Sequence, residues 1–241
     1  MAEQSTSEEA DGATGASPSS RQRAPSRRSF PQAVGERQRD PQRTRLDILD
    51  VATREFAERG YSGGRVDEIA ARTRTTKRMI YYYFGNKEGL WTAVLERAYA
   101  RIRAEEQRLE VEHLEPREAI RRLAELTFDH HEAHPDFIRL VSEENIHYAR
   151  HLRRSPSLAR LNTPAVQVIA RILERGREMG VFRREVDAVD VHLMISAFCF
   201  FRMANRHTFG VLFGRDLVDP RLRERYRKMV GDMVVDYLSG P

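Results

Sequence analysis

Apolar residues recur every three or four positions from Leu46 to Leu238, and no stretch sustains the strict alternation of a half-buried strand. The pattern predicts an all-α chain. A first helix is expected over about residues 41–59, burying Leu49, Ala52 and Phe56, with Gly60 as a left-handed stop and a loop over 61–64. Two short helices follow, over about 66–72 and 76–83. Asn86 then stands where it can cap a helix beginning at Lys87, with Glu88 near that helix's positive end.

Longer helices are expected beyond this point, over about 87–112, 117–133, 135–152, 158–179, 187–209 and 220–238. Pro116, Pro135, Pro156 and Pro220 mark their starts or the loops before them. In the last of them Leu222, Tyr226, Met229, Val230, Met233, Tyr237 and Leu238 form a stripe that predicts core packing. The helix over 187–209 differs, because its centre, LMISAFCFF, is apolar on nearly every face. Such a helix needs neighbours on one side and a partner subunit or ligand cavity on the other. Residues 1–39 contain hardly a large apolar side chain and are expected to be a disordered tail. The organisation is therefore a tail (1–39), a module of short helices (40–97) and a helical bundle (98–241).

Charge sharpens this outline. The 241 residues carry a net +5, and the isoelectric point is near 9.6, which suits a polyanionic partner. Residues 21–45 alone carry +6. A solvated linker is the simpler reading of that arm, and one that tracks phosphates is the sharper reading. Only three of the basic residues are lysines (Lys77, Lys87 and Lys228), a skew expected from a G+C-rich genome. The single cysteine, Cys199, excludes an internal disulfide, and its apolar helix makes it a small inert hydrophobe. The N-terminus lacks a signal-peptide pattern and no apolar run approaches the ~20 residues of a membrane span, so a cytoplasmic protein is expected.

The chemistry concentrates at TRTTKRMIYYYF, residues 73–84. No acidic residue occurs from Ala70 to Asn86, while Arg72, Arg74, Lys77 and Arg78 surround one predicted helix N-terminus. Free backbone amides there attract an anion, and Thr75 and Thr76 add hydroxyl donors. Tyr81, Tyr82 and Tyr83 cannot share one face, since neighbours on a helix differ by about 100°. At least one should project outward as a phosphate donor. A helix-turn-helix whose second helix enters a DNA groove accounts for all of this.

The segment from Thr44 to Leu95 resembles the N-terminal domain of the TetR family of bacterial regulators, in ILDVATREFAERGY, VDEIA and IYYYFGNKEGL. The resemblance implies a homodimer of all-α subunits in which an effector bound to the C-terminal domain releases a palindromic operator. It implies base reading by Thr76, Lys77 and Arg78, phosphate contacts from Tyr81, Tyr83 and Lys87 with Tyr82 as an additional candidate, and backbone contacts from Arg45 and Arg65. Two positions depart from the family: Arg74 replaces the usual small Gly of the turn, and Arg65 the usual Thr before the second helix. ENIHYARHL and FRMANRHTFGVLFGRDL resemble one branch of TetR-type ligand domains. Phe128, Phe137, Asn145, Tyr148, Phe198 and Arg202, which mix aromatic area with a few polar handles on the central helices, are the candidate cavity residues, with core packing the simpler reading of each one individually.

His130 and His134 stand four apart, a spacing that suits one metal ion, with His131 nearby. With no third ligand evident in sequence, a hydrogen-bonded helix end is the expectation, and neither metal nor cofactor is assigned. Lacking a Gly-rich phosphate loop or nucleophile elbow, the chain is not expected to be an enzyme. Repression and activation are not separable here, nor is binding without any small molecule.

Overall fold

The computed structural model describes residues 40–240, with the backbone alone for 158–164. The expected tail (1–39) lies outside the described residues, as does the basic arm over 21–45 apart from residues 40–45. Ten α-helices and no strand occur among the described residues. They are α1 (Pro41–Gly63), α2 (Val66–Arg72), α3 (Lys77–Phe84), α4 (Lys87–Arg108), α5 (Pro116–Ala133), α6 (Pro135–Ile146), α7 (Pro156–Glu178), α8 (Ala188–Ala204), α9 (Arg206–Phe213) and α10 (Pro220–Ser239).

Local chemistry starts most of these helices where the sequence suggests. Asp40, Asn86, Asp187 and Asp219 each accept a hydrogen bond from an amide of the first turn, and Pro occupies the start of α1, α5, α6 and α10. Three expectations are corrected. First, residues 61–63 are helical rather than loop: the chain kinks at Gly60 (φ 68°, ψ 178°) and resumes a turn of helix. A side chain at Gly60 would also collide with the Glu143 carboxylate. Second, the helix expected over 135–152 stops at Ile146. Tyr148 and Ala149 take left-handed backbone (φ 58° and 55°), and their amides return to the Asn145 and Glu144 carbonyls. Third, the helix expected over 187–209 breaks at Asn205 into α8 and α9.

Two apolar cores hold the helices together. One joins α1 to α4 through Ile48, Phe56, Ile69, Ile80, Leu90, Trp91 and neighbours. The other is built by α5, α7, α8 and α10 around Ile120, Phe128, Ile172, Val191 and Val234. Leu140 of α6, fully buried, belongs to the first core, so α6 is wedged into the N-terminal module. The domain boundary expected at 97/98 falls inside α4, which runs unbroken through both regions. In α10 the expected core stripe divides: Val230 and Leu238 are buried, Leu222, Tyr226 and Met229 are half-buried, and Met233 and Tyr237 remain exposed, while Val234 and Val235, outside the expected stripe, are buried as well.

Candidate nucleic-acid interface

The turn between α2 and α3 is made by backbone bonds. The Thr75 amide bonds the Ala70 carbonyl and the Arg74 amide the Ala71 carbonyl, a pairing that requires a left-handed residue at 74. Arg74 supplies it at φ 51°, where glycine would do so without steric cost. After this reversal Lys77 and Arg78 are both exposed at the N-terminus of α3. Thr76 caps α3, its Oγ1 accepting from the Met79 amide at 3.2 Å, while Ile80 and Phe84 anchor the inner face. Of the three tyrosines, Tyr82 is 78% exposed, and Tyr81 and Tyr83 pack half-buried against the core.

Other expected contact residues flank this helix. Lys77 Nζ lies 3.1 Å from Asp67, whose hydrogen bond raises the lysine's pKa. The Arg45 guanidinium lies over the Phe84 ring at 5.2 Å, and the exposed Arg65 pairs with Glu68 at 3.5 Å. Lys87 donates to the Ser62 carbonyl at 3.2 Å above the Tyr61 ring, and burial lowers its pKa. Residues 45, 65, 76–78, 81–83 and 87 thus all belong to the N-terminal helical module. Sequence reasoning missed Glu55, a buried carboxylate that accepts from the Arg65 amide at 3.2 Å and pairs with Arg72 and Arg59, tying α1 to α2.

Glu144 was missed as well, and it links α6 to the N-terminal module. At 1% exposure its carboxylate accepts from Trp91 Nε1 (3.0 Å), the His151 amide (2.6 Å), the Leu152 amide (3.0 Å) and His151 Nδ1 (2.9 Å). Burial works against its charge, but these bonds outweigh it and hold its pKa below the usual value. The neighbouring Glu143 accepts from the Tyr61 amide at 2.9 Å, just past the α1 kink. Glu144 opens the ENIHYARHL segment and Glu143 immediately precedes it, and both acids face the first module.

The cavity candidates separate. Phe137 and Asn145 line a cavity of about 220 Å³ between α4, α5, α6 and α8, together with Tyr99, Arg103, Thr127 and His131. Buried Arg103 is paired with Glu106 at 2.5 Å, its Nε has no partner, and neither has His131 Nδ1. Desolvation, aided by the neighbouring His130, pushes His131 down to about 3, and burial pushes the Cys199 thiol up to about 12, so that neither is charged near neutrality. Phe198 and Arg202 instead line an apolar cavity of about 720 Å³ between α8, α9 and α10. Arg202 is a clamp there, donating to the Leu217 carbonyl at 2.9 Å and to Glu132 at 3.3 Å, over the Phe128 ring at 4.1 Å. Phe128 is core, and Tyr148, 82% exposed, lines neither cavity because the left-handed turn swings it outward.

Comparison with known proteins agrees with this architecture. The profile of bacterial regulatory proteins of the tetR family matches residues 48–94, and that of the tetracyclin repressor-like C-terminal domain matches 116–234. The HTH-type transcriptional repressor NicS of Pseudomonas putida is 35% identical over 202 residues, which is 84% of this chain and 95% of NicS. The chain belongs to the TetR family. The HTH-type transcriptional repressor SCO4008 of Streptomyces coelicolor is 32% identical over 66% of this chain and 78% of its own length. Among solved structures, the regulator SCO4942 of Streptomyces coelicolor superposes with TM-score 0.60 at 27% identity, over 82% of this chain and 99% of that one. The hemolysin II regulator HlyIIR, at TM-score 0.52 and 22% identity over 84% of this chain and all of its own, shares the fold. This TetR-family protein is a DNA-binding transcriptional regulator related to repressors, and not an enzyme. No helix among the described residues is long and apolar enough to cross a membrane.

Proposed function

We propose that the chain is a homodimeric repressor that grips a palindromic operator through α3 and is released by a small effector held between α4, α5, α6 and α8. The observation that carries this reading is the exposed cationic N-terminus of α3, rigidly presented by the left-handed turn at Arg74. Lys77 and Arg78, with Thr76, read base edges, while Tyr81, Tyr82, Tyr83, Lys87, Arg45, Arg65 and Thr75 hold phosphates. The Lys77 pair with Asp67 is exposed, so it exchanges for a DNA partner at little cost.

Dimerisation uses Val189, Leu193 and Phe201 on α8 with Met233 and Tyr237 on α10, an apolar face exposed in the single chain. Two recognition helices joined this way meet half-sites about 34 Å apart. The effector is compact, because about 220 Å³ lies below the roughly 300–1,000 Å³ of sites for drug-sized ligands. It supplies an acceptor to Arg103 Nε and a donor to His131 Nδ1, between aromatic walls from Tyr99, Phe137 and Phe200.

The coupling runs through α6. Phe137, Val141 and Asn145 face the cavity at i, i+4 spacing, while Leu140 and Glu144 face the DNA-binding core. An effector that displaces α6 therefore moves the groups that seat Trp91 and Tyr61, and a coupling of about 1–3 kcal/mol suffices for regulation. The test is to select an operator from random duplexes and measure binding of variants across sequences and salt. Lys77→Ala and Arg78→Ala shift the preferred sequence. Tyr82→Phe and Lys87→Met weaken all sequences alike, Lys87→Met also lowering the salt slope by about 0.9. Equal losses on every sequence for all four variants refute the assignment.

A further inference from the structure

The pair His130 and His134 acquires in the fold the partner that sequence spacing did not reveal. Glu105, near the C-terminal end of α4, brings a carboxylate oxygen to the two imidazoles, and one ligating atom from each of the three residues falls within 4.8 Å of the others. His130 Nδ1 is 2.7 Å from Glu105 Oε2, and the two rings stack with centroids 4.2 Å apart. We propose that Glu105, His130 and His134 form a binding site for a divalent transition-metal ion of the zinc type.

Donor chemistry and orientation both fit. Two imidazoles and one carboxylate are a zinc-type ligand set, with a fourth position left for water or another ligand. His134 Nδ1 lies 2.9 Å from the His130 backbone carbonyl. A histidine that donates one ring N–H to a carbonyl has its other nitrogen, Nε2, fixed as a free lone pair, the arrangement found behind metal-bound imidazoles. On His130, the buried Nε2 has no partner. When Nδ1 turns its lone pair toward the ion in place of its hydrogen bond to Glu105, the ring proton moves to Nε2.

The adjustment needed is at most about 1.5 Å between any two ligand atoms. Metal–ligand bonds of about 2.0–2.2 Å in a tetrahedron set neighbouring ligand atoms roughly 3.3 Å apart, so the Glu105 to His130 contact opens by about 0.6 Å. The surroundings tolerate the ion. A cavity of about 360 Å³ adjoins the three residues, and the arginines lining it are already neutralised, Arg227 by Glu125 and Asp129 and Arg122 by Glu118. Glu105 is on α4, whereas His130 and His134 lie at the corner where α5 turns into α6. An ion there fastens the helix that carries Trp91 to the helix pair that carries Glu144.

The experiment uses the full chain stripped with a chelator and titrated with Zn²⁺ against a chromophoric competitor, and with Co²⁺ as a spectroscopic probe. Glu105→Gln and His134→Gln are the variants, chosen because both residues are only part-buried, with His113→Gln, an exposed histidine elsewhere, as the control. Circular dichroism checks that each retains its helices. The wild type and His113→Gln are expected to bind one ion per chain, with visible Co²⁺ bands of a tetrahedral site. Glu105→Gln and His134→Gln are each expected to weaken binding at least about tenfold and to lose those bands. Wild type without saturable binding overturns the proposal, as does equal affinity in all four helical proteins.

Discussion

The buried Glu144 carboxylate offers the sharpest test of how the two regions are joined. Glu144→Ala leaves four donors without their acceptor: Trp91 Nε1, the His151 and Leu152 amides and His151 Nδ1. Trp91 is fully buried and His151 is 2% exposed, so neither side chain finds bulk water. Each orphaned buried donor costs about 1–3 kcal/mol. Relaxation of the left-handed residues Tyr148 and Ala149, strained by about 1 kcal/mol or more each, returns part of that. The expected loss is about 3 kcal/mol, which in a chain of this size lowers Tm by roughly 6–12 °C. Glu144→Gln keeps an oxygen for the two amides and turns its NH₂ toward His151 Nδ1. Trp91 Nε1 is then unsatisfied, as is the proton moved to His151 Nε2, which is buried without a partner, at about 1–3 kcal/mol each.

Trp91 is the only tryptophan in the chain, so its fluorescence reports the same bond that urea and thermal melts report globally. Both variants are expected to change the emission, with Glu144→Ala the less stable. The carboxyl's pKa is held below its ordinary 4.5 in the folded state. Its contribution is therefore complete above 4.5 and is lost as pH falls through the lower folded value. Glu144→Gln should remove that part of the acid sensitivity. A Glu144→Ala protein within about 0.5 kcal/mol of wild type, with unchanged Trp91 emission, would refute the reasoning.

Further outcomes follow from single positions. Arg74→Gly relieves a left-handed arginine and is expected to raise stability by about 0.5–1 kcal/mol in chemical denaturation while weakening DNA binding at low salt through the lost charge. A destabilised variant contradicts the strain. Leu193→Glu, at a position 63% exposed, is expected to leave the circular dichroism unchanged and shift sedimentation from dimer to monomer, and a dimer of wild-type affinity removes α8 from the interface. Tyr82→Phe removes one hydroxyl from an exposed ring, so stability stays within about 0.5 kcal/mol while operator affinity falls severalfold, as titration by fluorescence anisotropy will read.

What the sequence determined by itself is what depends on neighbours within a turn or two. The 3.6-residue period, the cap at Asn86 and the helix starts marked by Pro116, Pro135, Pro156 and Pro220 specify all-α architecture, because helix formation and capping are local. The module at residues 66–84 was legible for the same reason: cap, cationic first turn and tyrosines all lie on one short segment. Only the tertiary structure decided which groups from distant helices meet. Glu144 reaches Trp91 across 53 residues, and Glu105 reaches His130 across 25. The left-handed turn after Ile146 turned Tyr148 to solvent, and the packing around α10 left Met233 and Tyr237 exposed. Periodicity states that a side chain is on a face, but which neighbour covers that face is fixed by how all the helices pack at once.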